Sequence, residues 1–463
     1  MNKSLRENEH FLIKRKKRLS NFIPCEPLSK NEKFFLAVCF IVYFGWSIVF
    51  LNKGYGPDET MRYDVPMYIY KHLSLPFGNE AEIVNSYWGM SYGYSIMFPY
   101  LLSAAFMKTV SFFTQSPNVL WIAARFTSVI SGIGVVFYAM CIARSITNKS
   151  IRWVFIIPLS LMPQMIFIFS YCNLDSFGLF TAVFLLYLWI YGMKNKWDIK
   201  SCFWLGIGIG LCFLSYPFAY PFIFGSFLVY CIWHILHFKE TSFKKFIGHG
   251  AIVLLLVFVV SGWYFIRNAF LYNGDIFALN ASTPYAEKLA APEMKPSVRS
   301  MQTMRATGYS IFGMLKNTPW IKMTFYSMFY GLGYMTIFAS EALYEIIFVI
   351  ICIGAAGCVL SLIKGEKISQ DTVVCSVVLI IVSIITVLLS LYYSWSSDYQ
   401  PQGRYIITCL PLIYAIVAYG IYNITKLLPQ QKKVQRCICI VVFLAVMFVD
   451  FKATYDCLKN FVY

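Results

Sequence analysis

The clearest candidate for chemistry in this sequence is an acidic pair, Asp58-Glu59, that follows the first long apolar run. Charged side chains are costly in a bilayer, so a carboxylate at its boundary is a candidate functional group by default. A partly buried carboxylate there could act as a general base that takes a proton from an acceptor hydroxyl. Helix capping is the alternative, because Pro57 ends the preceding turn and carboxylates are stabilised at a helix N-terminus. Arg62, three residues after Glu59, favours the catalytic interpretation.

A second acidic residue stands alone between two apolar runs. Asp175 is the only acid between Glu82 and Asp198. An isolated carboxylate at this depth is either functional or the cap of the helix that we predict to begin at Ser176. The sequence leaves both interpretations open, and Asn173 lies two residues before the carboxylate.

Two arginines stand at the ends of apolar runs and could bind an anion. Arg404 directly precedes the run at 406–426. A guanidinium at a helix N-terminus is disfavoured by the helix dipole unless an anion neutralises it. We therefore predict that Arg404 and the first amides of this helix bind a phosphate. Arg267 ends an earlier apolar run, where either a phosphate contact or anchoring at the membrane interface would explain it.

The elements that position these residues are predicted to be membrane helices. Hydrophobic residues make up 59% of the 463 positions, aromatic residues 19% and charged residues only 13%. A soluble chain covers its surface with charge, whereas a helix in lipid satisfies its backbone internally. We predict an all-α polytopic integral membrane protein of about 11–13 transmembrane helices, with juxtamembrane helices at the outer face.

The apolar runs divide the chain into three parts. We expect a cytoplasmic basic segment at 1–33, a transmembrane domain at 34–451 and a short tail at 452–463. Long polar loops interrupt the transmembrane domain at about 52–91 and 273–325. Between them, apolar runs lie at roughly 92–113, 119–143, 151–171, 175–193, 202–215, 217–236 and 250–272.

The net charge of +17 comes largely from lysines and arginines in short loops beside apolar runs. This is the positive-inside pattern of a membrane protein, and we predict no nucleic-acid partner. All the basic loops share the cytoplasmic face only if the run at 92–113, interrupted by Pro99 and Lys108, makes no net crossing. Both long polar loops then lie on the outer face of the membrane, whereas a full crossing at 92–113 would reverse the later loops.

The 14 cysteines are scattered, mostly within apolar runs, and no CxxC pair occurs. Such residues are typical of small buried hydrophobes, so we predict neither a disulfide framework nor a zinc site. Asp58, Glu59 and Asp175 could ligate Mg²⁺ or Mn²⁺ as hard oxygen donors, and a metal requirement stays open. We predict no tight structural metal.

Four short motifs, in this order along the chain, resemble the C-type superfamily of membrane glycosyltransferases, which use polyprenyl-phosphate sugars. The pattern is most similar to a bacterial branch of that superfamily. The motifs are Pro57-Asp58-Glu59, Asn173-Leu174-Asp175, Arg267-Asn268 and Gly403-Arg404-Tyr405. Arg62 departs from the branch, which usually has a histidine at that position.

The resemblance implies an inverting sugar transfer from an undecaprenyl-phosphate donor to a glycan or lipid-linked acceptor outside the cytoplasmic membrane of a bacterium. It makes Asp58 the catalytic base or an acceptor-binding residue, with Glu59 and Asp175 in support. It makes Arg404 the residue that binds the lipid phosphate. Further substrate-binding candidates on the matching motifs are Arg62, Asn173, Arg267, Asn268 and Tyr405.

Two other classes of membrane protein bind lipid-linked saccharides. A transporter or flippase is expected to have ionisable or helix-breaking residues near the bilayer midplane and two related halves. Here the charges lie at the boundaries of apolar runs, and no internal repeat stands out. A polysaccharide polymerase or ligase uses similar donors and outer loops, so that alternative stays open.

Overall fold

The computed structural model describes residues 27–50, 56–95, 97–148 and 151–461, so most of the predicted segment 1–33 lies outside the described residues. The helices are α1 Lys30–Gly45, α2 Glu59–His72, α3 Phe98–Ser111, α4 Pro117–Ile146, α5 Trp153–Leu161, α6 Pro163–Ile168, α7 Asp175–Lys194, α8 Ile199–Phe213, α9 Pro221–Leu236, α10 Phe243–Leu271, α11 Thr283–Leu289, α12 Pro296–Met301, α13 Ile311–Asn317, α14 Trp320–Tyr330, α15 Glu341–Ile363, α16 Gln370–Ser396, α17 Leu410–Thr425 and α18 Gln431–Phe461. A π-helical turn at Trp46–Phe50 extends α1, and 3₁₀ turns lie at Tyr92–Tyr94, Pro217–Ala219, Pro292–Met294 and Gly403–Cys409. Strands β1 Gly331–Leu332 and β2 Ile337–Phe338 form one antiparallel hairpin.

Among the described residues, nine helices are long and apolar enough to cross a membrane. They are α1, α4, α7, α9 with its preceding 3₁₀ turn, α10, α15, α16, α17 with its preceding 3₁₀ turn, and α18. Helix α8 is a shorter apolar helix, and the apolar pair α5 and α6 breaks at Pro163. The structure thus confirms an all-α polytopic membrane protein. The nine long apolar helices of the described residues are fewer than the 11–13 predicted, because α8 and the broken pair α5 and α6 are too short to count as spans.

The bundle is organised around two buried helices, α4 and α7, whereas α10, α15 and α18 expose most of their apolar surface. A helix that is apolar on all sides suits both positions, because core and lipid are equally apolar. Helices α15 and α17 pack backbone against backbone. A Cβ on Gly357 of α15 or on Gly420 of α17 would overlap main-chain atoms of the other helix. Small residues allow this close approach in membranes.

Buried ion pairs show which helix ends lie together. Glu32 at the start of α1 binds Arg144 at the end of α4 at 2.9 Å. Arg125, near the start of α4, instead contacts Ser47 at the end of α1. Helices α1 and α4 therefore run in opposite directions, and the intervening chain returns to the bundle end that it left. Helix α3, at 14 residues, is only about 21 Å long against a hydrocarbon core of about 30 Å. This agrees with the prediction that 92–113 makes no net crossing.

The two long loops meet over the bundle end where α1 finishes. In the structure the first loop is the whole connection between α1 and α4, which contains α2 and α3. The second loop runs from the end of α10 to the β-hairpin. The hydroxyl of Tyr272 donates to the Phe77 carbonyl at 2.5 Å. The Ala291 amide donates to the Tyr87 carbonyl at 3.1 Å. Together the two loops cover this end of the bundle.

Candidate active site

A cavity of about 720 Å³ lies between the two loops and the bundle. Both loops and the 3₁₀ turn before α17 form its walls. Its polar and aromatic lining residues are Asp58, Thr60, Asn85, Trp88, Tyr92, Gln164, Phe167, Tyr171, Arg299, Ser327, Tyr334, Tyr393, Asp398, Gln400, Gln402, Arg404 and Tyr405. The volume falls in the range of about 300–1,000 Å³ that is typical of small-molecule sites.

Asp58 reaches the cavity because it does not cap the helix that follows it. It precedes α2 in the left-handed conformation, with φ of 59°, and its side chain makes no capping hydrogen bond. Its Oδ2 instead accepts a hydrogen bond from the Tyr92 hydroxyl at 3.0 Å. The same atom lies 3.5 Å from Arg404 Nη2 and 4.0 Å from Arg62 Nη2. The capping interpretation is therefore wrong for Asp58.

Glu59 has the opposite environment, with a side chain that is 0% exposed. Arg125 binds it through two hydrogen bonds, Nε to Oε1 at 2.7 Å and Nη2 to Oε2 at 2.8 Å. The Cys172 amide also donates to Oε1 at 2.9 Å. Glu59 does not line the cavity. The pair instead ties α2 to α4 and to the loop before α7.

Sequence reasoning missed Arg125, although a signal was present. It is the only charged residue in the run from Pro117 to Cys141. A lone arginine in an apolar helix needs an anionic partner, because an unpaired buried charge is strongly unfavourable. In the structure that partner is Glu59.

Arg404 enters the cavity from a tight contact between two helices. Gly403 lies so close to the Met328 backbone that a Cβ would overlap it. Its amide donates to the Ser327 hydroxyl at 2.7 Å. Arg404 is only 8% exposed, and its Nε and Nη1 make no hydrogen bond within the described residues. A buried guanidinium with uncommitted N–H groups is suited to bind an anion.

Arg62 is a second buried guanidinium beside Asp58, although it does not line the cavity itself. Its Cζ lies 4.6 Å from the centre of the Tyr92 ring. Its Nε and Nη1 likewise find no hydrogen-bond partner in the described parts of the chain. Burial raises the pKa of Tyr92 to about 12, although the neighbouring arginines oppose the rise. Tyr92 therefore stays protonated at neutral pH and donates to Asp58.

Asp175 is the buried counter-charge of both arginines. It begins α7, and the helix start is capped by Asn173, whose Oδ1 accepts from the Ser176 amide at 2.8 Å. Neither carboxylate oxygen of Asp175 has a hydrogen-bond partner among the described residues. Its charge nevertheless acts on Arg62 and Arg404. The capping alternative thus applies to Asn173 and not to Asp175.

Of the remaining predicted site residues, only Tyr405 lines the cavity. Its ring stacks on Phe218 at 4.8 Å, and its hydroxyl accepts from Arg404 at 3.3 Å. The side-chain nitrogen of Asn173 donates to two backbone carbonyls. Arg267 and Asn268 lie outside the lining. The Arg267 guanidinium donates to the Pro76 carbonyl and to the Asn268 side chain. Their contacts join α10 to the first loop.

A divalent cation would need several side-chain oxygens of the site as ligands. In the described ranges, no three histidine, cysteine, aspartate or glutamate side chains gather as a possible metal site. Arg125 occupies both oxygens of Glu59, and Arg62 and Arg404 lie beside Asp58. The residues present therefore do not fit a carboxylate-bound Mg²⁺ or Mn²⁺, which needs several oxygen ligands.

The sequence and the overall fold are similar to those of known membrane proteins. Residues 98–265 match the family described as dolichyl-phosphate-mannose-protein mannosyltransferase. The oligosaccharyltransferase of Archaeoglobus fulgidus is similar in structure, with a TM-score of 0.54 and 16% identity over 91% of this chain and 52% of its own. The ArnT structure from Cupriavidus metallidurans bound to undecaprenyl phosphate gives a TM-score of 0.49 and 12% identity over 92% of this chain and 73% of its own. No curated protein sequence matches the chain.

The chain therefore has a fold similar to that of the oligosaccharyltransferase, and the protein is a multi-pass membrane protein. The chain spans about half the length of the oligosaccharyltransferase that it matches. The family match begins at α3 and ends within α10, so the acidic pair and Arg404 lie outside it.

Proposed function

We propose that this protein is an inverting glycosyltransferase that uses an undecaprenyl-phosphate sugar. It would transfer the sugar to a hydroxyl of a cell-envelope glycan or a lipid-linked acceptor. One observation carries the proposal: the carboxylate of Asp58 lies 3.5 Å from the buried Arg404 guanidinium on the wall of a cavity. A carboxylate that can take a proton and a guanidinium that can bind an anion thus line one cavity.

The two buried arginines supply the site for the leaving phosphate. Nε and Nη1 of Arg62 and of Arg404 make no hydrogen bond within the described residues, and Nη2 of each arginine lies within 4.0 Å of Asp58 Oδ2. Charge-assisted hydrogen bonds to phosphate oxygens would satisfy the Nε and Nη1 atoms. These bonds strengthen as negative charge grows on the phosphate oxygen during departure, so they stabilise the transition state more than the bound donor.

Asp58 is the proposed base. The acceptor oxygen forms a bond to the anomeric carbon of the donor as the bond between that carbon and the phosphate oxygen breaks. The hydroxyl proton passes to the Asp58 carboxylate, and the bond electrons leave with undecaprenyl phosphate. Attack opposite to the leaving group inverts the anomeric configuration.

Three neighbours hold this base in place. Tyr92 donates to Asp58 and fixes the direction of the carboxylate. The clamp of Glu59 by Arg125 fixes the first turn of α2 directly after Asp58. Asp175 balances the arginines before the donor arrives, since two uncompensated buried guanidiniums would be strongly destabilising.

The charge distribution supports an outward-facing site in a bacterial cytoplasmic membrane. Arg144 and Arg152 meet Glu32 at the end of the bundle away from the cavity. Lysines 196, 364 and 426 follow the ends of transmembrane helices, and Lys432 and Lys433 lie in the first turn of α18; none of them lines the cavity. The positive-inside rule assigns this basic end to the cytoplasm, and the cavity then opens on the opposite side.

A polymerase or ligase would use the same donor chemistry, whereas a flippase would transfer no sugar. The test is the glycan composition of the envelope with and without the gene, followed by incubation of purified protein with an undecaprenyl-phosphate sugar. We expect one sugar to disappear from the envelope of cells lacking the gene. We expect release of undecaprenyl phosphate from the donor only with active protein. An unchanged envelope together with an intact donor would contradict the proposal, and longer or shorter chains of unchanged sugar content would indicate a polymerase.

A further inference from the structure

The cavity carries a second group of residues at its mouth that the sugar-transfer chemistry does not use. Trp88 belongs to the first loop and Arg299 to the second, while Asp398 and Gln400 follow α16. Side chains of Arg299 and Asp398 are 33% and 35% exposed, against 8% for Arg404. The charged groups at the mouth are thus more exposed than the two arginines, Arg62 and Arg404, proposed to bind phosphate.

We propose that this group, the mouth residues Trp88, Arg299, Asp398 and Gln400, binds a saccharide acceptor. This inference rests on the proposed function and narrows its acceptor to a glycan. The saccharide hydroxyls would bond to Asp398 and Gln400, and the apolar face of one ring would lie on Trp88.

The charges at the mouth cancel one another. Arg299 Nη2 lies 3.2 Å from Asp398 Oδ2, and its Cζ lies 4.9 Å from the Trp88 ring centre. A phosphate or other anionic acceptor would have to break this ion pair. A neutral polyhydroxyl ligand can instead bond to the pair without disturbing its charge balance.

The hydrogen-bonding groups at the mouth are of the kind that pair with hydroxyls. Gln400 Nε2 donates to Asp398 Oδ2 at 2.8 Å, and Gln402 Nε2 donates to Gln400 Oε1. Both contacts of Asp398, to Arg299 and to Gln400, use Oδ2, so neither occupies Oδ1. A carboxylate accepts several hydrogen bonds and an amide both donates and accepts, so the group can bind neighbouring hydroxyls of one sugar ring.

The aromatic platform is held in position. Asn85 Oδ1 accepts hydrogen bonds from the amides of Tyr87 at 3.0 Å and Trp88 at 3.1 Å. The second loop secures the same turn, because the Ala291 amide donates to the Tyr87 carbonyl. A preorganised ring loses little conformational entropy on binding, which favours recognition of a flat ligand face.

A lipid acceptor fits the mouth less well. Its acyl chains would need an apolar wall, whereas the mouth presents two charged side chains and an amide that are partly exposed. The polar mouth and the phosphate end line one cavity with Asp58. A hydroxyl of a glycan seated at the mouth is therefore delivered toward the proposed base.

The test uses full-length protein in nanodiscs, with membranes of cells lacking the gene as the donor source. The acceptor probe is the envelope glycan of the same cells, freed of lipid and protein. We expect Trp88→Ala to raise the KM for this glycan by about 10-fold or more, since an aromatic contact and its buried area are lost. Trp88→Phe should retain most of the activity, and Asp398→Asn should raise the same KM.

Tyr87→Ala is the matched control, because Tyr87 adjoins Trp88 but does not line the cavity. Affinity for undecaprenyl phosphate should stay within about 2-fold in all four variants, since none alters the arginines that bind phosphate. An unchanged acceptor KM in both Trp88→Ala and Asp398→Asn would overturn the inference. So would transfer to a purified lipid or protein fraction but not to the freed glycan. If wild-type protein binds no undecaprenyl phosphate and transfers nothing, the proposed function itself fails.

Discussion

Two consecutive carboxylates, Asp58 and Glu59, have contrasting environments. Glu59 is 0% exposed and shares two short hydrogen bonds with Arg125. Asp58 is 36% exposed, and its arginine neighbours lie 3.5 Å and 4.0 Å away. Both carboxylate oxygens of Glu59 therefore bond to Arg125. The two arginines beside Asp58 instead retain N–H groups that make no hydrogen bond within the described residues.

The difference separates an ion pair that holds structure from one that can take part in chemistry. A buried pair with ideal geometry has no capacity left for a ligand, and breaking it is costly. A carboxylate beside under-coordinated arginines can accept a proton while those arginines bind a phosphate. Substitutions at four positions, Asp58, Glu59, Arg404 and Asp64, test this contrast.

The largest expected effect is that of Asp58→Asn on sugar transfer. Loss of the base should reduce turnover by about 10²–10⁴-fold. Asparagine tolerates the left-handed backbone of this position, so the fold of α2 should be retained. Steady-state transfer and binding of undecaprenyl phosphate should be measured together. Turnover close to that of the wild type would remove Asp58 as the base.

Glu59→Gln should act on stability first. Arg125 would then lack its counter-charge in a buried site, and the free energy of unfolding should fall by about 3–5 kcal/mol. The double variant Glu59→Gln with Arg125→Met removes the uncompensated charge and should recover part of the loss. Thermal unfolding in detergent measures both. A stable Glu59→Gln protein without activity would instead give Glu59 a direct role in catalysis.

Arg404→Ala should weaken binding of undecaprenyl phosphate by about 10–100-fold, because hydrogen bonds to charged groups contribute about 1.5–3 kcal/mol. Arg267→Ala is the control, since that guanidinium bonds to Pro76 and Asn268 outside the cavity. We expect its affinity for undecaprenyl phosphate to remain unchanged. Equal losses in the two variants would argue against a phosphate site at Arg404.

The smallest effect concerns Asp64, a third carboxylate on α2. Burial raises its pKa from 3.8 to about 6, and Lys71 opposes the rise only in part. The folded protein then keeps a proton that the unfolded chain releases, so this group lowers stability as pH rises from about 4 to 6. Asp64→Asn should remove this fall and raise stability at pH 7 by on the order of 1 kcal/mol. Melting curves from pH 4 to 8 provide the measurement, and parallel curves for the two proteins would contradict it.

The sequence predicted the helical membrane fold from its apolar composition. It predicted the centre of the candidate site from charged residues, which are rare in an apolar chain. Asp58, Asp175 and Arg404 were recognisable as charges at the ends of apolar runs, and the structure brings them together with Arg62. The short length of α3 also agrees with the absence of a net crossing at 92–113 that the charge pattern required.

The remaining features depend on contacts between distant segments, which no local pattern reveals. Arg267 and Asn268 occupy a motif position, but their partners lie on both loops outside the cavity. Glu59 follows Asp58 directly in the chain. The two side chains nevertheless have different partners, because Asp58 has a left-handed backbone and Glu59 begins α2. Trp88 and Arg299 become neighbours only when the two loops fold over each other.

The buried Asp175 has a consequence for the end of the proposed reaction cycle. Undecaprenyl phosphate, the product, carries the same phosphate that the arginines hold in the donor, so a site built only of guanidiniums would retain it. Asp175 shares the field of Arg62 and Arg404 without bonding to either. In the proposed cycle, repulsion between Asp175 and the departing phosphate would limit product inhibition and help to empty the site for the next donor.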